Sequence, residues 1–258
     1  MLVFLDVIFF ICHIFVKNLI IFMKIALIGY GKMGKTIENI AVQRGHEIIL
    51  RLDINNPEDF KRLAEANVAI EFTRPESATD NLKHCIAAKV PVVCGTTGWL
   101  EHFDTVSELC RKNNSAFFYA SNYSIGVNIF FEINRRLASM MNNYPMYDVR
   151  MEETHHTQKL DAPSGTAITL ANSILENVAR KTKWVSDTEG SASDINITAK
   201  RIDPAPGTHI VTYDSAIDTI EITHTAHSRE GFATGAVLAA EWIFGKKGVF
   251  SMKDMLGF

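Results

Sequence analysis

The sequence predicts an α/β protein of two parts. A parallel-sheet domain spans residues 23–124 and is completed by residues 232–258, and an α+β domain with an open mixed sheet spans residues 125–231. Continuous apolar strands alternate with helical patterns from residue 24 onward, which is typical of a sheet covered on both faces. Later in the chain three strand-like runs follow one another without intervening helices, which indicates a sheet with one open face.

Composition excludes several classes of protein. The chain has 258 residues, of which 47% are hydrophobic and 21% charged, and its formal net charge is −3. These values give no support to nucleic-acid binding or to a polybasic membrane patch. The cysteines, Cys12, Cys85, Cys94 and Cys110, have neither the spacing of a metal site nor that of a disulfide framework. The sequence therefore predicts a protein of the reducing cytoplasm without a metal.

Residues 1–22 form an apolar leader that is interrupted by Asp6, His13 and Lys17. A membrane span needs about 20 mostly apolar residues, so the length is marginally sufficient. The basic start and small-residue cleavage site of a secretory signal are both missing. A third interpretation is that Met23 is the true start, because a first core strand follows with almost no linker. We favour this interpretation and expect no membrane association.

A glycine-rich turn follows the first predicted strand, Ile25–Ile28, and precedes a helix predicted over Lys35–Arg44. Its sequence is Gly29-Tyr30-Gly31-Lys32-Met33-Gly34. In such a turn the first glycine bends the chain, the second admits a pyrophosphate, and the third lets helix and strand pack. The strand, turn and helix together predict a Rossmann dinucleotide-binding domain, with these six residues as cofactor contacts.

The second predicted strand, His46–Leu52, ends at Asp53, which lies 19 residues after Gly34 (53 − 34). An acidic residue at about this distance accepts a hydrogen bond from the adenosine ribose 2′-hydroxyl. The alternative is a surface aspartate that opens a loop. Asp53 favours NAD because it would repel a 2′-phosphate, while the nearby Arg51 leaves NADP acceptable. The cofactor is therefore expected to be NADH or NADPH.

The rest of the first domain continues the alternation. Strands are predicted at Val68–Phe72, Val90–Val93 and Ala116–Tyr119, with helices at Ser77–Ala88 and Glu101–Asn113 between them.

Small residues, Gly95, Thr96 and Thr97, follow the strand at Val90–Val93. Ligands of parallel sheets bind at this edge, and small side chains let a flat ring lie against the backbone. A tight turn with threonine hydroxyls in local hydrogen bonds is the alternative.

The second domain mixes long helices with strands. The predicted elements are the helix Ile125–Met141, the strand Tyr147–Glu153, the helix Ala167–Ala179, the strands Asp194–Arg201, His209–Ser215 and Thr219–Ala226, and a final helix Gly231–Phe244. An open sheet of this kind needs cover, and association of identical subunits is one way to provide it.

The most informative stretch joins the first strand of that domain to its second helix. His155, His156 and Lys159 precede a Ser164-Gly165-Thr166 turn that opens the helix. Ser164, in preference to Asp161, is expected to cap it. The free N–H groups that follow make an anion site at the helix terminus. A purely structural capped helix is the alternative for the turn alone.

The run Glu-x-His-His-x-x-Lys-x-Asp-Ala-Pro-Ser-Gly-Thr-Ala at residues 153–167 resembles the signature of the dihydrodipicolinate reductase family, and the likeness extends from Met23 to the end. It implies NADH- or NADPH-dependent reduction of 4-hydroxy-tetrahydrodipicolinate to tetrahydrodipicolinate, with loss of water, in diaminopimelate and lysine biosynthesis. It also implies a small cyclic dicarboxylate substrate and a homotetramer.

The resemblance also implies roles for individual residues. His155 would donate a proton from a pKa near neutral, and Lys159 would hold a carboxylate and supply a second proton. The substrate-binding residues would also include His156, Ser164, Gly165 and Thr166, with N–H groups holding carboxylate and Ser164 capping the helix. Cofactor contacts would include Phe72, Thr73, Gly95, Thr96, Thr97 and the interdomain loop Ala120, Ser121, Asn122 and Tyr123. Relatives commonly carry Asp where Glu71 stands, and the two domains would close for reaction.

Two other functions remain open on the sequence. One is a different two-domain reductase, such as a homoserine or a semialdehyde dehydrogenase, and an essential Cys94 would favour the semialdehyde dehydrogenase. We interpret Cys94 instead as a buried small residue. The other is a catalytically silent NAD(P)-binding regulator. His224, His227 and Arg229 form a further polar cluster, but no third ligand is spaced to complete a metal site.

Overall fold

The computed structural model describes residues 22–53, 57–186, 190–228 and 230–258. These residues divide into two compact units. The first contains the described residues up to Ser121 together with Ala236–Met255, and the second contains Asn122–Gly235 and Leu256–Phe258. The expectations for residues 1–21, including a membrane span or a later start, lie outside the described residues, as does Arg229.

The first unit is built on a six-stranded parallel sheet. Three of its inner strands are almost wholly buried, as expected for a sheet with covered faces. The strand order is β11-β5-β4-β3-β1-β2. The strands are β1 (Lys24–Ile28), β2 (Glu47–Leu52), β3 (Val68–Glu71), β4 (Val92–Cys94), β5 (Ala116–Tyr119) and β11 (Gly248–Phe250).

Helices of the first unit connect these parallel strands. They are α1 (Lys32–Gln43), α2 (Pro75–Ala87) and α3 (Phe103–Lys112), with short 3-10 segments at Pro57–Glu65 and Leu100–His102. One core cluster joins apolar side chains of the strands to α2 and α3, with the fully buried Trp99 and Phe117 among its largest members.

The C-terminal segment belongs to this same sheet. β11 pairs in parallel with β5, with Val249 opposite Phe117. Just before it in the chain, Trp242 makes edge-on contacts with Phe118 and Phe250. The sequence analysis assigned no strand to this segment, because three residues are too few to show a period.

The second unit is a five-stranded mixed sheet in the order β10-β9-β6-β8-β7. Its strands are β6 (Asp148–His155), β7 (Lys183–Ser186), β8 (Asp194–Arg201), β9 (Gly207–Asp214) and β10 (Thr219–Ala226), and its helices are α4 (Ile125–Met141) and α5 (Gly165–Asn177). Alternate residues of β6, β8 and β9 join α4 and α5 in one apolar core. Two later helices, α6 (Glu230–Ile243) and α7 (Met252–Leu256), complete the chain.

The predicted fold class is confirmed. Apart from short elements that were not predicted, the differences lie at element boundaries. α1 begins at Lys32 rather than Lys35, and α5 at Gly165 rather than Ala167, because each helix starts directly after its N-cap residue. β6 continues through His155 instead of ending at Glu153. In the part of the chain that the structure describes, no helix has the length and apolar content that crossing a bilayer requires.

Candidate active site

Three glycines of the turn at residues 29–34, called here the Gly-rich turn, meet different constraints. A Cβ on Gly29, whose φ is +97°, would lie 2.0 Å from the Phe72 carbonyl oxygen, and one on Gly34 would lie 2.2 Å from the Gly29 carbonyl oxygen. A Cβ on Gly31 would meet nothing within 4 Å. Protein contacts thus explain the first and third glycines, whereas the second borders open space.

The same turn leaves the N-terminus of α1 available to an anion. Gly31 is the N-cap residue and makes no side-chain cap hydrogen bond. The first N–H groups of a helix have no intrahelical acceptor, and they attract phosphate. Gly31 leaves open space next to these N–H groups, so the Gly-rich turn fits the pyrophosphate of a dinucleotide. Lys32 starts the exposed face of α1, and Met33 is half-buried behind it.

Phe72, Thr73 and the Gly95–Thr97 segment come together at the ends of β3 and β4. The Phe72 ring lies where a Cβ on Gly95 would sit, at 2.1 Å. The Thr73 N–H donates to Thr96 Oγ1 at 2.8 Å, and the Thr73 hydroxyl donates to the buried Glu71 carboxylate. Of the predicted contacts in this group, Thr97 is exposed. The loop Ala120, Ser121, Asn122 and Tyr123 follows β5, and its Asn122 side chain accepts the Ser124 N–H.

Cys94 is fully buried beside Glu71. Its thiol donates to a Glu71 carboxylate oxygen at 3.0 Å. Burial first, and then the charge of Glu71, raise the pKa of the Cys94 thiol well above its usual range. The nucleophile that a semialdehyde dehydrogenase needs is a thiolate, so the interpretation of Cys94 as a buried structural residue is confirmed.

A buried carboxylate organises the second unit. Glu153 lies on β6 and is 0% exposed. Its two oxygens accept the Ser164 N–H at 3.0 and 3.1 Å, and Arg201 Nη2 donates to one of them at 3.1 Å. Burial alone would raise the pKa of this carboxyl group, but hydrogen bonds from His209, Ser164 and Arg201 outweigh it and lower the pKa to about 2. Glu153 is therefore ionised.

His155 lies two residues further along β6, on the same face as Glu153. It is 7% exposed, and its Nδ1 is 3.5 Å from a Glu153 oxygen. Burial lowers the pKa of His155 to about 4, with Glu153 acting in the opposite direction. The expectation of a pKa near neutral is not met in this structure, because the ring is desolvated. His155 is consequently neutral at neutral pH.

Lys159 lies in the loop that follows β6, residues 156–161, called here the His–Lys loop. Its ammonium group donates to both oxygens of Asp161 at 2.8 Å, and this pairing lowers the pKa of Asp161. The Lys159 side chain is 22% exposed and that of Asp161 is 59% exposed. His156 is half-buried, and its carbonyl oxygen accepts the Lys159 N–H in the turn.

The predicted cap of the following helix is confirmed. Ser164 Oγ accepts the Ala167 N–H at 3.2 Å, and it also shares a 3.0 Å hydrogen bond with His209 Nε2. Helix geometry leaves the N–H groups of Gly165 and Thr166 without intrahelical acceptors. Gly165 is exposed, and a Cβ there would meet nothing within 4 Å. The helix terminus therefore presents N–H donors beside the His–Lys loop.

Sequence reasoning missed Arg201 and His209, which support the site from β8 and β9. Arg201 Nη2 donates to the Asp161 carbonyl at 2.7 Å, and its Nε donates to the Lys159 carbonyl at 3.3 Å. In the parallel pairing of β6 with β8, Arg201 stands opposite His155. This register would have identified Arg201 as a neighbour of His155, but it is known only once β6 and β8 are seen to pair. Asp203 also accepts hydrogen bonds from the N–H and hydroxyl of Thr157.

The donor atoms of Glu153, His155 and His209 lie within 4.8 Å of one another, as metal ligands would. The Glu153 oxygens, however, already share the Ser164 N–H and accept a hydrogen bond from the Arg201 guanidinium. A cation competing there would have to displace an arginine. We therefore interpret the cluster as a hydrogen-bonded support. His224, which the sequence analysis grouped with His227, is half-buried and packs against Phe130 with ring centroids 5.9 Å apart.

Comparison with protein families decides the identity of this arrangement. Residues 23–123 match the family model described as dihydrodipicolinate reductase, N-terminus, and residues 126–256 match its C-terminus counterpart. The chain belongs to the dihydrodipicolinate reductase family. The prediction drawn from residues 153–167 is thus confirmed, and with it the expectation of an NAD(P)H-dependent oxidoreductase.

Individual relatives of the dihydrodipicolinate reductase family agree. A protein of Christiangramia forsetii named 4-hydroxy-tetrahydrodipicolinate reductase is 53% identical over 91% of this chain and 98% of its own length. One of Methanosarcina mazei with the same name is 37% identical over 90% and 89%. A dipicolinate-bound dihydrodipicolinate reductase structure from Paenisporosarcina sp. TG-14 has a TM-score of 0.74 at 22% identity, covering 91% of this chain and all of that one. This last likeness shows the fold alone.

Proposed function

We propose that this chain catalyses the NAD(P)H-dependent reduction of 4-hydroxy-tetrahydrodipicolinate to tetrahydrodipicolinate, with loss of water, in diaminopimelate and lysine biosynthesis. Family membership and the names of the relatives support this reaction. The observation that carries it is the buried Glu153 carboxylate, which contacts His155 and the α5 terminus directly and is linked to the Lys159 backbone through Arg201. Retention of this arrangement argues against a catalytically silent regulator.

The substrate is a small cyclic dicarboxylate, and the second unit offers groups that suit its carboxylates. The N–H groups of Gly165 and Thr166 lie at a helix N-terminus, where negative charge is favoured. Lys159 provides a cation that its exposed partner Asp161 can release in exchange for a substrate carboxylate. His156 extends the same loop. We assign these four residues to carboxylate binding, and Ser164 to holding the turn that presents the N–H groups.

The reduction adds a hydride and a proton across the conjugated ring that forms when water leaves. NADH or NADPH supplies the hydride when bound. We assign the proton to His155, with Lys159 as the second donor. Because His155 is neutral at neutral pH, it must gain a proton when substrate binds. A dicarboxylate bound next to the His155 imidazole favours this protonation, since nearby negative charge raises the pKa of an imidazole.

We further propose a homotetramer in the cytoplasm. The face of the second sheet opposite α4 and α5 carries exposed and half-buried side chains, among them Arg150 of β6, Lys200 of β8 and Glu221 of β10. β10 pairs with β9 and is an edge strand of this sheet. Association through this face would cover it. Light scattering of the purified protein tests the proposal, which a monomer at micromolar concentration would contradict.

The direct test of the proposed reaction is steady-state oxidation of NADH and of NADPH by the purified chain with freshly generated 4-hydroxy-tetrahydrodipicolinate. We expect turnover that depends on both reactants and is inhibited by dipicolinate, a stable planar dicarboxylate. Turnover with homoserine-pathway aldehydes instead, or none with any of these compounds by a protein that binds NADH, would contradict the proposal.

A further inference from the structure

The end of β2 carries an ionic cluster at the edge of the Gly-rich turn. The Leu52 carbonyl oxygen accepts the Gly29 N–H at 2.8 Å, which fixes this strand end beside the turn. Arg51 and Asp53 flank Leu52 and, being two residues apart on an extended chain, project to the same side. Both are exposed. This is the region in which the adenosine ribose of a bound dinucleotide is read.

Arg51 is held there by Glu38 of α1. Its Nε donates to one Glu38 oxygen at 3.0 Å and its Nη2 donates to the other, so the pair is bidentate. The Tyr30 hydroxyl donates to the same carboxylate, and the Arg51 guanidinium lies 5.7 Å from the centroid of the Tyr30 ring. The bond from Arg51 lowers the pKa of Glu38, and the bond to Glu38 raises that of Arg51. Both partners are therefore ionised, and their charges cancel.

We propose that Glu38 is a specificity-determining residue through which this enzyme prefers NADH to NADPH. An acid after the second strand accepts the ribose 2′-hydroxyl, whereas an arginine nearby accommodates a 2′-phosphate. Asp53 supplies the acid, and Glu38 accepts hydrogen bonds from Nε and Nη2 of Arg51. A 2′-phosphate thus meets one carboxylate and must compete with another for Arg51. The inference rests on the dinucleotide site of the proposed function.

The test measures direct binding of NADH and of NADPH to the purified full-length chain. Nucleotide fluorescence, recorded without substrate, reports the bound fraction. We expect the unmodified protein to bind NADH about tenfold more tightly, since a hydrogen bond to a charged group is worth roughly one decade of affinity. Glu38→Gln removes the charge that holds Arg51. It is expected to raise NADPH affinity about tenfold and to leave NADH affinity nearly unchanged.

A double-mutant cycle separates release of Arg51 from a general change of charge. Arg51→Gln alone is expected to leave NADPH binding unchanged, because the arginine is already engaged. In the Glu38→Gln background, Arg51→Gln is expected to cancel the increase in NADPH affinity. Glu65→Gln is the matched control, because Arg62 and Glu65 form a similar two-bond pair away from the turn. Glu38→Asp keeps the charge, so its NADPH affinity should lie between that of the unmodified protein and that of Glu38→Gln.

Equal or tighter binding of NADPH by the unmodified protein would overturn the proposal. So would an unchanged ratio of the two affinities in a Glu38→Gln protein whose melting temperature matches that of the unmodified chain. Failure to bind either nucleotide would overturn this proposal and the dinucleotide site together. Binding with the expected preference but without reductase turnover would support this inference while rejecting the proposed reaction.

Discussion

The two candidate sites, one in each unit, differ in composition: the first is formed by backbone groups and the second by side chains. In the Gly-rich turn, backbone N–H groups and the space left by Gly31 provide the site. In the second unit, side chains from separate strands meet on one buried carboxylate, Glu153, whose oxygens accept from Ser164 and Arg201. A site made of backbone depends on a few neighbouring residues. A site made of side chains depends on the register of strands that are distant in the chain.

Removing the Lys159 ammonium group from the side-chain site should have the largest effect on catalysis. Lys159→Ala is expected to lower kcat by roughly 10²-fold or more, the typical contribution of a positioned proton donor, and also to raise KM because a carboxylate partner is lost. NADH affinity should stay nearly unchanged. Steady-state kinetics and NADH titration measure both effects. Lys83→Ala is the control, since Lys83 pairs with the exposed Asp80 in the other unit.

In the Gly-rich turn, two glycines that look equivalent in sequence should respond differently to substitution by alanine. Gly34→Ala places a Cβ 2.2 Å from the Gly29 carbonyl oxygen and is expected to lower the free energy of unfolding by about 2 kcal/mol or more. Gly31→Ala meets open space, so it should keep the melting temperature but weaken NADH binding. Thermal melting and nucleotide titration distinguish them. Normal NADH affinity in Gly31→Ala would contradict the assignment of that space to the cofactor.

Removing Arg201 tests whether the buried support, and not only the reacting groups, matters. Arg201→Ala leaves the Glu153 carboxylate short of a cation and releases the carbonyls of Lys159 and Asp161. We expect kcat to fall about tenfold and the free energy of unfolding to fall by about 3 kcal/mol. Arg201→Lys should restore part of both. Arg62→Ala is the control, because Arg62 is exposed and pairs with Glu65 in the other unit. Equal behaviour of the two alanine variants would remove Arg201 from the site.

Stability should respond to pH through His155. Its pKa falls from 6.5 to about 4 on folding, mainly because of burial. The unfolded chain therefore binds this proton first, and stability is lost as pH decreases from about 6.5 toward 4. His155→Gln should reduce this loss of stability by about 3 kcal/mol, as measured by urea unfolding at a series of pH values. His102→Gln, at an exposed histidine of the other unit, should leave the slope unchanged.

The smallest effect is expected at the exposed partner of Lys159. Asp161→Asn frees the ammonium group from a carboxylate that competes with substrate. Exposed ion pairs contribute at most about 1 kcal/mol, so KM should fall by no more than about fivefold with kcat unchanged. A large loss of kcat would show that Asp161 takes part in the reaction.

The same contrast explains how far the sequence could be read. The alternation of strands and helices predicted the fold, and the Gly29–Gly34 spacing predicted the turn, because both signals are local. The His–Lys loop was found through its motif. Arg201 and His209 were not found, since nothing in the chain says which strands lie beside β6. The lowered pKa of His155 was missed for a similar reason, because burial arises only when β6, β9 and α5 pack together.

Short elements were also missed. β7 and β11 have four and three residues, and both are only half-buried along most of their length. Their pairing with β8 and β5 decides their conformation, and this information lies outside the segments themselves.

The most direct measurement of the central claim is kcat for His155→Gln, determined together with NADH affinity in the same preparation. If His155 handles the proton while a separate backbone site holds the cofactor, kcat should fall by roughly 10²-fold or more and the dissociation constant of NADH should not change. Near-normal turnover, or a loss of turnover that tracks a loss of NADH binding, would contradict the account.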